Sequence, residues 1–480
     1  MAKSETPRVG FFKTPITDCG VRRDIPLNDD LFAGIIYIES GKNTTLLITL
    51  DHIEMRSAPA AETKSIISKA TSIPPERIVF TFSHTHNGVD LIPSVLGETL
   101  AQAALSAGET AEPVSIAYAR AHTEGRFSVN RRVSIDGLGA LTITYYRNNI
   151  ADPVNNSMEV SGQVRDFIRH GAKLYHPDYQ RSGADLFQGS GTLSQKSIDL
   201  LRSLPERIDL DGAVDPYIEA LEFRRMDGLA VGTLIRFACH PVIMSDCRHP
   251  CISADFPGVL TRELSRAGGA PAFFVNGPSG DVKPLVTENG HHEMERIGCE
   301  MADLLKSTLA IAECEPLTRF RFERCEKTFK LAPDMFGVGP EKLAEAERDY
   351  VKLASGEYDP VALRKALDHL LRTWAAGPEC YAHSEKSVAL PFSVLGFNDM
   401  ALVMLPGEIF TTHSAAIKRR FQGKKIITVE LADTDAPGYV PSRDDFDAGG
   451  YEVAAACLPR GSGEKFVDIA ESLLKKFYEK

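Results

Sequence analysis

This 480-residue sequence predicts an α/β fold: one large mixed-sheet domain, residues 1–480, that carries a helical insertion. Strand-length apolar runs alternate with helix-patterned segments, as in folds that layer helices on sheets. An Asp-Gly turn between two apolar runs marks an antiparallel hairpin. A charged, helix-patterned stretch over residues 340–375 interrupts the alternation and reads as an insertion packed on the main body.

The elements follow in order. Thr44 to Leu50 (TTLLITL) is a buried-strand run that ends at Asp51-His52. Ala60 to Ala70 is helix-patterned, and Pro74-Pro75 stop it;. Arg77 to Ser83 (RIVFTFS) is a strand leading into His84-Thr85-His86. Tyr217 to Phe223 and Leu229 to Ala238 are the arms of the hairpin, and the second arm leads into Cys239-His240-Pro241. Ala272 to Val275 is a short strand followed by the Gly-rich loop NGPSGD. Met400 to Leu405 is a strand ended by Pro406-Gly407-Glu408, where a helix is expected to begin. Glu464 to Lys480 reads as an amphipathic C-terminal helix;.

Composition narrows the function. The formal net charge of −11 gives an acidic surface, which repels phosphate backbones and sets nucleic acid aside;. No apolar run approaches the ~18 residues of a membrane helix. The N-terminus lacks the apolar core of a secretion signal. The nine cysteines include no CxxC pair and read as free thiols of a reducing compartment, so a cytoplasmic location is expected;. Cys247 and Cys251 flank His249, but no second Cys/His pair stands at finger spacing;.

The polar residues at strand ends carry the chemistry. His84 and His86, His240, Asp281 and Glu408 each stand just past the C-terminal end of an apolar strand, the edge where α/β sheets bind ligands;. Side chains from separate strands would converge there, and histidine with carboxylate is the ligand set of catalytic zinc. Each residue also has a plainer reading. A histidine at a strand end is often a hydrogen-bonded structural group, and Glu408 after Pro-Gly suits a first helical turn. The loop GPSGD lacks the GxxxxGK[ST] of a phosphate-binding P-loop;.

Five segments, taken together, resemble the neutral/alkaline non-lysosomal ceramidase family and occur in its order: FSHTHNG (82–88), GTLIRFACHP (232–241), FFVNGPSGDVKP (273–284), LPGEIFT (405–411) and GYVPSRDDFDAGGYE (438–452). The resemblance implies a zinc ion held by His84, His240, Glu408 and Tyr439. It also implies His86, Tyr451 and Arg131 as active-site groups, with Arg132 a near alternative to Arg131. The tyrosine ligand follows from the resemblance alone.

The chain departs from the family pattern at Lys283, where the family loop carries a serine. It also shows neither the family's secretion signal nor its C-terminal β-sandwich. The sequence therefore predicts a zinc hydrolase acting on an amide-type C–N bond of a small polar substrate rather than on ceramide. His86 would shuttle protons. Tyr451 and Arg131 would hold the oxyanion. Lys283 would bind a substrate anion or assist the leaving group. An ester or lactone hydrolase, or a non-catalytic binding protein on the same scaffold, are the alternatives.

Overall fold

The computed structural model describes residues 6–21, 25–135, 139–142, 151–152, 157–159, 207–209, 212–245, 251–287, 290–335, 339–354, 360–377, 385–434 and 436–479. Among them, three larger sheets each contain one parallel strand pair joined through a helix. Asn43–Leu50 and Ile78–Phe82 are joined through Ser57–Thr71. Ala230–Phe237 and Ala272–Asn276 are joined through Asp255–Gly268. Met400–Met404 and Lys425–Val429 are joined through Thr411–Arg420. The remaining neighbours in these sheets pair antiparallel, so the expected mixed α/β architecture is observed.

One face of each sheet enters a shared core. Phe11, Ile36 and Leu47 meet Leu221, Phe223 and Phe273, and both groups meet Phe397, Leu402 and Ile427. Glycine is required where the sheets approach most closely. A Cβ on Gly34 would stand 2.3 Å from the Phe273 ring, and one on Gly232 would stand 2.1 Å from the Phe11 ring. The outer faces are covered by helices: Ser57–Thr71 and Pro93–Glu109 on the first sheet, and Asp255–Gly268 and His291–Leu309 on the second. Ser462–Glu479 covers the third, with Phe477 against Gly396.

The predicted hairpin is present, with Tyr217–Arg224 antiparallel to Ala230–Phe237. Gly228 takes φ +90° in its turn, a region that favours glycine;. The charged stretch forms the helices Pro340–Ala354 and Pro360–Ala375. The second of these sets Trp374 and Ala375 against the core that holds Tyr439 and Tyr451.

One expectation is corrected. No helix begins at Glu408; Glu408–Ile409 is a short strand parallel to Tyr439–Val440, and the helix is Thr411–Arg420. Gly407, at φ +82°, turns the chain so that the Glu408 N–H donates to the Gly438 carbonyl at 3.0 Å. The partner strand is remote in sequence, so local punctuation by Pro-Gly cannot reveal it.

Candidate metal centre

The three β-α-β units point the C-terminal ends of their strands at one place. Ile78–Phe82 leads into His84, Ala230–Phe237 into His240, and Met400–Met404 into Glu408. The histidine rings lie close: 4.6 Å between the centroids of His84 and His240, 5.0 Å for His84 and His86, and 6.0 Å for His86 and His240. A ligand atom from each of His84, His86 and His240 falls within 4.8 Å of the others, a group able to hold a metal ion. His84 and His240 are buried, whereas His86 meets solvent. His84 occupies the left-handed region at φ +70°, unusual for a residue with a Cβ;.

Backbone carbonyls fix the ring orientations. His84 Nδ1 lies 2.8 Å from the Ile53 carbonyl, and His240 Nδ1 lies 2.8 Å from that of Ser279. A carbonyl only accepts, so each Nδ1 carries a proton and each Nε2 is turned toward the centre. There, Glu408 Oε2 stands 3.0 Å from His240 Nε2 and 3.4 Å from His84 Nε2. Among the described residues, His84 Nε2 makes no hydrogen bond of its own.

Burial, with Arg131 next, pushes His240 down to about 4. Burial would raise Glu408, but His240 and His84 outweigh it and hold the carboxyl well below its usual range. With its Nδ1 proton directed at the Ser279 and Val282 carbonyls, neutral His240 turns the Nε2 lone pair toward a carboxylate oxygen, whereas at His84 burial lowers and Glu408 raises the ring, with a net rise;. Two acceptors at hydrogen-bond distance call for a cation between them, and imidazole and carboxylate are ordinary metal ligands. The residues present thus fit a metal.

The other predicted residues gather around this point. The Tyr439 ring stacks at 6.5 Å and 8° on His240, and Tyr451 meets Tyr439 edge-on at 5.5 Å. Arg131 is enclosed, not open to a substrate. Its guanidinium donates to Glu452 at 2.8 Å, to the Gly280 carbonyl at 2.8 Å and to the Tyr439 hydroxyl at 3.0 Å. Arg132 reaches the same Glu452 carboxylate at 2.7 Å.

Lys283 is fully buried in Val282–Pro284, a strand paired with Ser128–Asn130, so it is no surface substitution. Asp281 does not join the centre. Its carboxylate accepts from Thr411 N at 2.8 Å, Thr411 Oγ1 at 2.9 Å and Asn130 Nδ2 at 2.8 Å. Cys251 is buried, and Cys247 and His249 lie outside the described residues.

Sequence reasoning missed Glu430 and Glu452, both fully buried. Burial pushes Glu430 up to about 8, against the pull of His84 and Ser279. Its signal was available, since it stands immediately past the apolar strand Lys425–Val429. Glu452 lies in the Tyr-Glu pair that closes the last of the resembling segments.

No protein-family model matches the sequence, and no curated protein matches it. Solved structures do match in fold. A neutral ceramidase from Pseudomonas aeruginosa superposes with a TM-score of 0.62 at 15% identity, over 98% of this chain and 75% of that one. A ceramidase complexed with C2 gives 0.62 at 14% identity, over 98% and 76% of the respective chains. The fold is ceramidase-like, and no described helix is long and apolar enough to cross a membrane.

Proposed function

We propose that the protein is a zinc-dependent hydrolase that cleaves an amide-type C–N bond of a small polar substrate. The observation that carries this reading is the meeting of His240 Nε2 and Glu408 Oε2 at 3.0 Å, with the His240 proton committed to the other ring nitrogen. His84 and His240 would hold the zinc through Nε2, Glu408 through Oε2 and Tyr439 through its hydroxyl. Zinc, when bound, supplies a water acidified to a pKa of about 7 and polarises the carbonyl under attack.

The chain's own residues do the rest. Desolvation and then the neighbouring His84 hold His86 well below its usual value, although the residue meets solvent. It is therefore neutral at working pH, able to take a proton at a ring nitrogen and return it to the leaving group. Tyr451, whose ring abuts Tyr439, offers a hydroxyl toward the developing oxyanion. Arg131 holds the Tyr439 hydroxyl, and Glu452 holds Arg131; burial and then Glu408 push the phenol well above its usual value, and Arg131 offsets this only in part;.

The amide preference comes from the likeness in fold to ceramidases. Ceramide itself is not proposed, because buried Lys283 stands where the family pattern has a serine. A lysine there, when protonated, favours a substrate that carries negative charge, and when neutral it can assist the leaving group. The free thiols of the described cysteines support a reducing, cytoplasmic setting;.

The test is a panel of paired amides and esters, neutral and anionic, offered to zinc-loaded protein. Turnover of small anionic amides is the expected result. Turnover of esters alone would move the reading to C–O bonds, efficient cleavage of long-chain ceramide would overturn the substrate class, and zinc uptake with no turnover would leave a binding protein.

A further inference from the structure

Glu430 is a carboxylate with no solvent access, and its contacts explain why it is there. Its Oε1 accepts from Ser279 Oγ at 2.6 Å and from Asn276 Nδ2 at 3.2 Å. Its Oε2 accepts from the Ile409 N–H at 2.7 Å. Its own N–H donates to the Asn276 carbonyl at 3.0 Å.

Each partner adjoins a residue of the metal centre. Ile409 follows Glu408 in the chain. Ser279 offers the carbonyl that fixes His240 Nδ1. Asn276 accepts through Oδ1 from the N–H of Cys239, the residue before His240, at 3.3 Å. One carboxylate therefore ties the strand that bears Glu408 to the loop that orients His240. These two segments belong to different sheets, and Glu430 adds to the Gly280 N–H bond to the Ile409 carbonyl at 3.0 Å and the Thr411 bonds to Asp281 that also join them. A buried carboxyl group is costly, and each bond that satisfies this one ends beside a residue of the metal centre;.

We infer that Glu430 is a positioning residue for the metal centre, setting His240 Nε2 and Glu408 Oε2 at the separation a divalent metal needs. The inference rests on the metal reading above and adds a residue to it. It acts through its partners, as outer partners of metal ligands do.

The test uses the full chain and metal alone. Apparent zinc affinity is measured by competition with a chelating dye. Ligand geometry is read from the visible spectrum of the cobalt(II)-substituted protein. Thermal unfolding of the metal-free protein is followed in parallel. Glu430→Gln places an amide NH₂ where every neighbour is also a donor, so affinity is expected to fall about 10–100-fold and the cobalt spectrum to change. Glu430→Asp keeps the carboxyl group but shortens the reach, and an intermediate loss is expected.

A merely structural role would lower the unfolding temperature and leave the affinity and spectrum of the folded protein as in wild type; that result overturns the inference. Should Glu430→Gln fail to fold, Ser279→Ala severs the same carboxylate from the His240 side and carries the test with the same readouts. Wild-type protein that takes up no metal removes the metal reading and this inference with it. Normal wild-type uptake with unchanged variants removes this inference alone.

Discussion

Two buried polar clusters in this molecule differ in what their atoms face. Around Asp433, Lys64 donates to one carboxylate oxygen, Arg324 to the other at 2.6 Å, and the Phe80 N–H adds a bond at 2.9 Å. Every acceptor there has a donor, and the cluster ties helix Ser57–Thr71 to strand Phe320–Lys330. At His240 and Glu408 two acceptors are instead turned toward one another, with His84 Nε2 3.4 Å from the same carboxylate oxygen. A satisfied cluster holds a fold together, and one that aims lone pairs at a common point is built to receive something. Burial and charge alone would have ranked the two alike.

Breaking the second cluster is expected to have the largest effect. His84→Ala, His240→Ala or Glu408→Ala should each take metal content from about one equivalent toward none, measured by elemental analysis after dialysis. Full retention in all three would end the distinction. His86→Ala sharpens it from within. If His86 moves protons and does not hold the metal, zinc is retained while kcat falls about 10²–10⁴-fold.

The Asp433 cluster should respond the other way. Asp433→Ala is expected to cost about 3–5 kcal/mol of stability, because it strands buried Lys64, and to leave the metal affinity of the folded protein unchanged. pH should separate the two clusters further. Burial would raise the Asp433 carboxyl, but Lys64 and Arg324 outweigh it and hold it below its usual value. Unfolded aspartate titrates near about 3.9, so the stabilisation from Asp433 is complete above about pH 5. It drains away as pH falls through the folded value, and Asp433→Asn should lack that part of the acid limb in denaturant melts.

The smallest effect is expected at Lys283. Loss of its cation in Lys283→Ala should raise KM for an anionic substrate roughly tenfold or more with kcat little changed. Kinetics identical to wild type would show that the departure from the family serine has no chemical meaning.

What the sequence showed and hid follows the same physical line. The strand-end rule singled out His84, His240 and Glu408, whose carboxylate the fold sets within 3.4 Å of both rings, because apolar runs that stop at a polar residue are visible one segment at a time;. The rule overreached at Asp281, which stands at a strand end but spends its carboxylate on Thr411 and Asn130. It was not carried to Glu430, which obeys it. The strand at Glu408 was illegible because its partner lies at Tyr439, and a pairing that far along the chain leaves no local pattern. Arg131 was expected to face substrate, and in the fold its guanidinium lies buried beside Tyr439. Sequence can put a guanidinium near a site, but only the fold shows that Glu452 already holds it.

The left-handed backbone at His84 has an evolutionary consequence. That conformation strains a residue with a Cβ by about 1–3 kcal/mol, while glycine adopts it freely. Drift toward robustness and selection for activity therefore pull in opposite directions at this codon. His84→Gly should unfold at a higher temperature than His84→Ala, which keeps the strain and lacks the ring, although both would be inactive. A lineage released from the need for catalysis would then be expected to lose this histidine early, with glycine the residue it settles on.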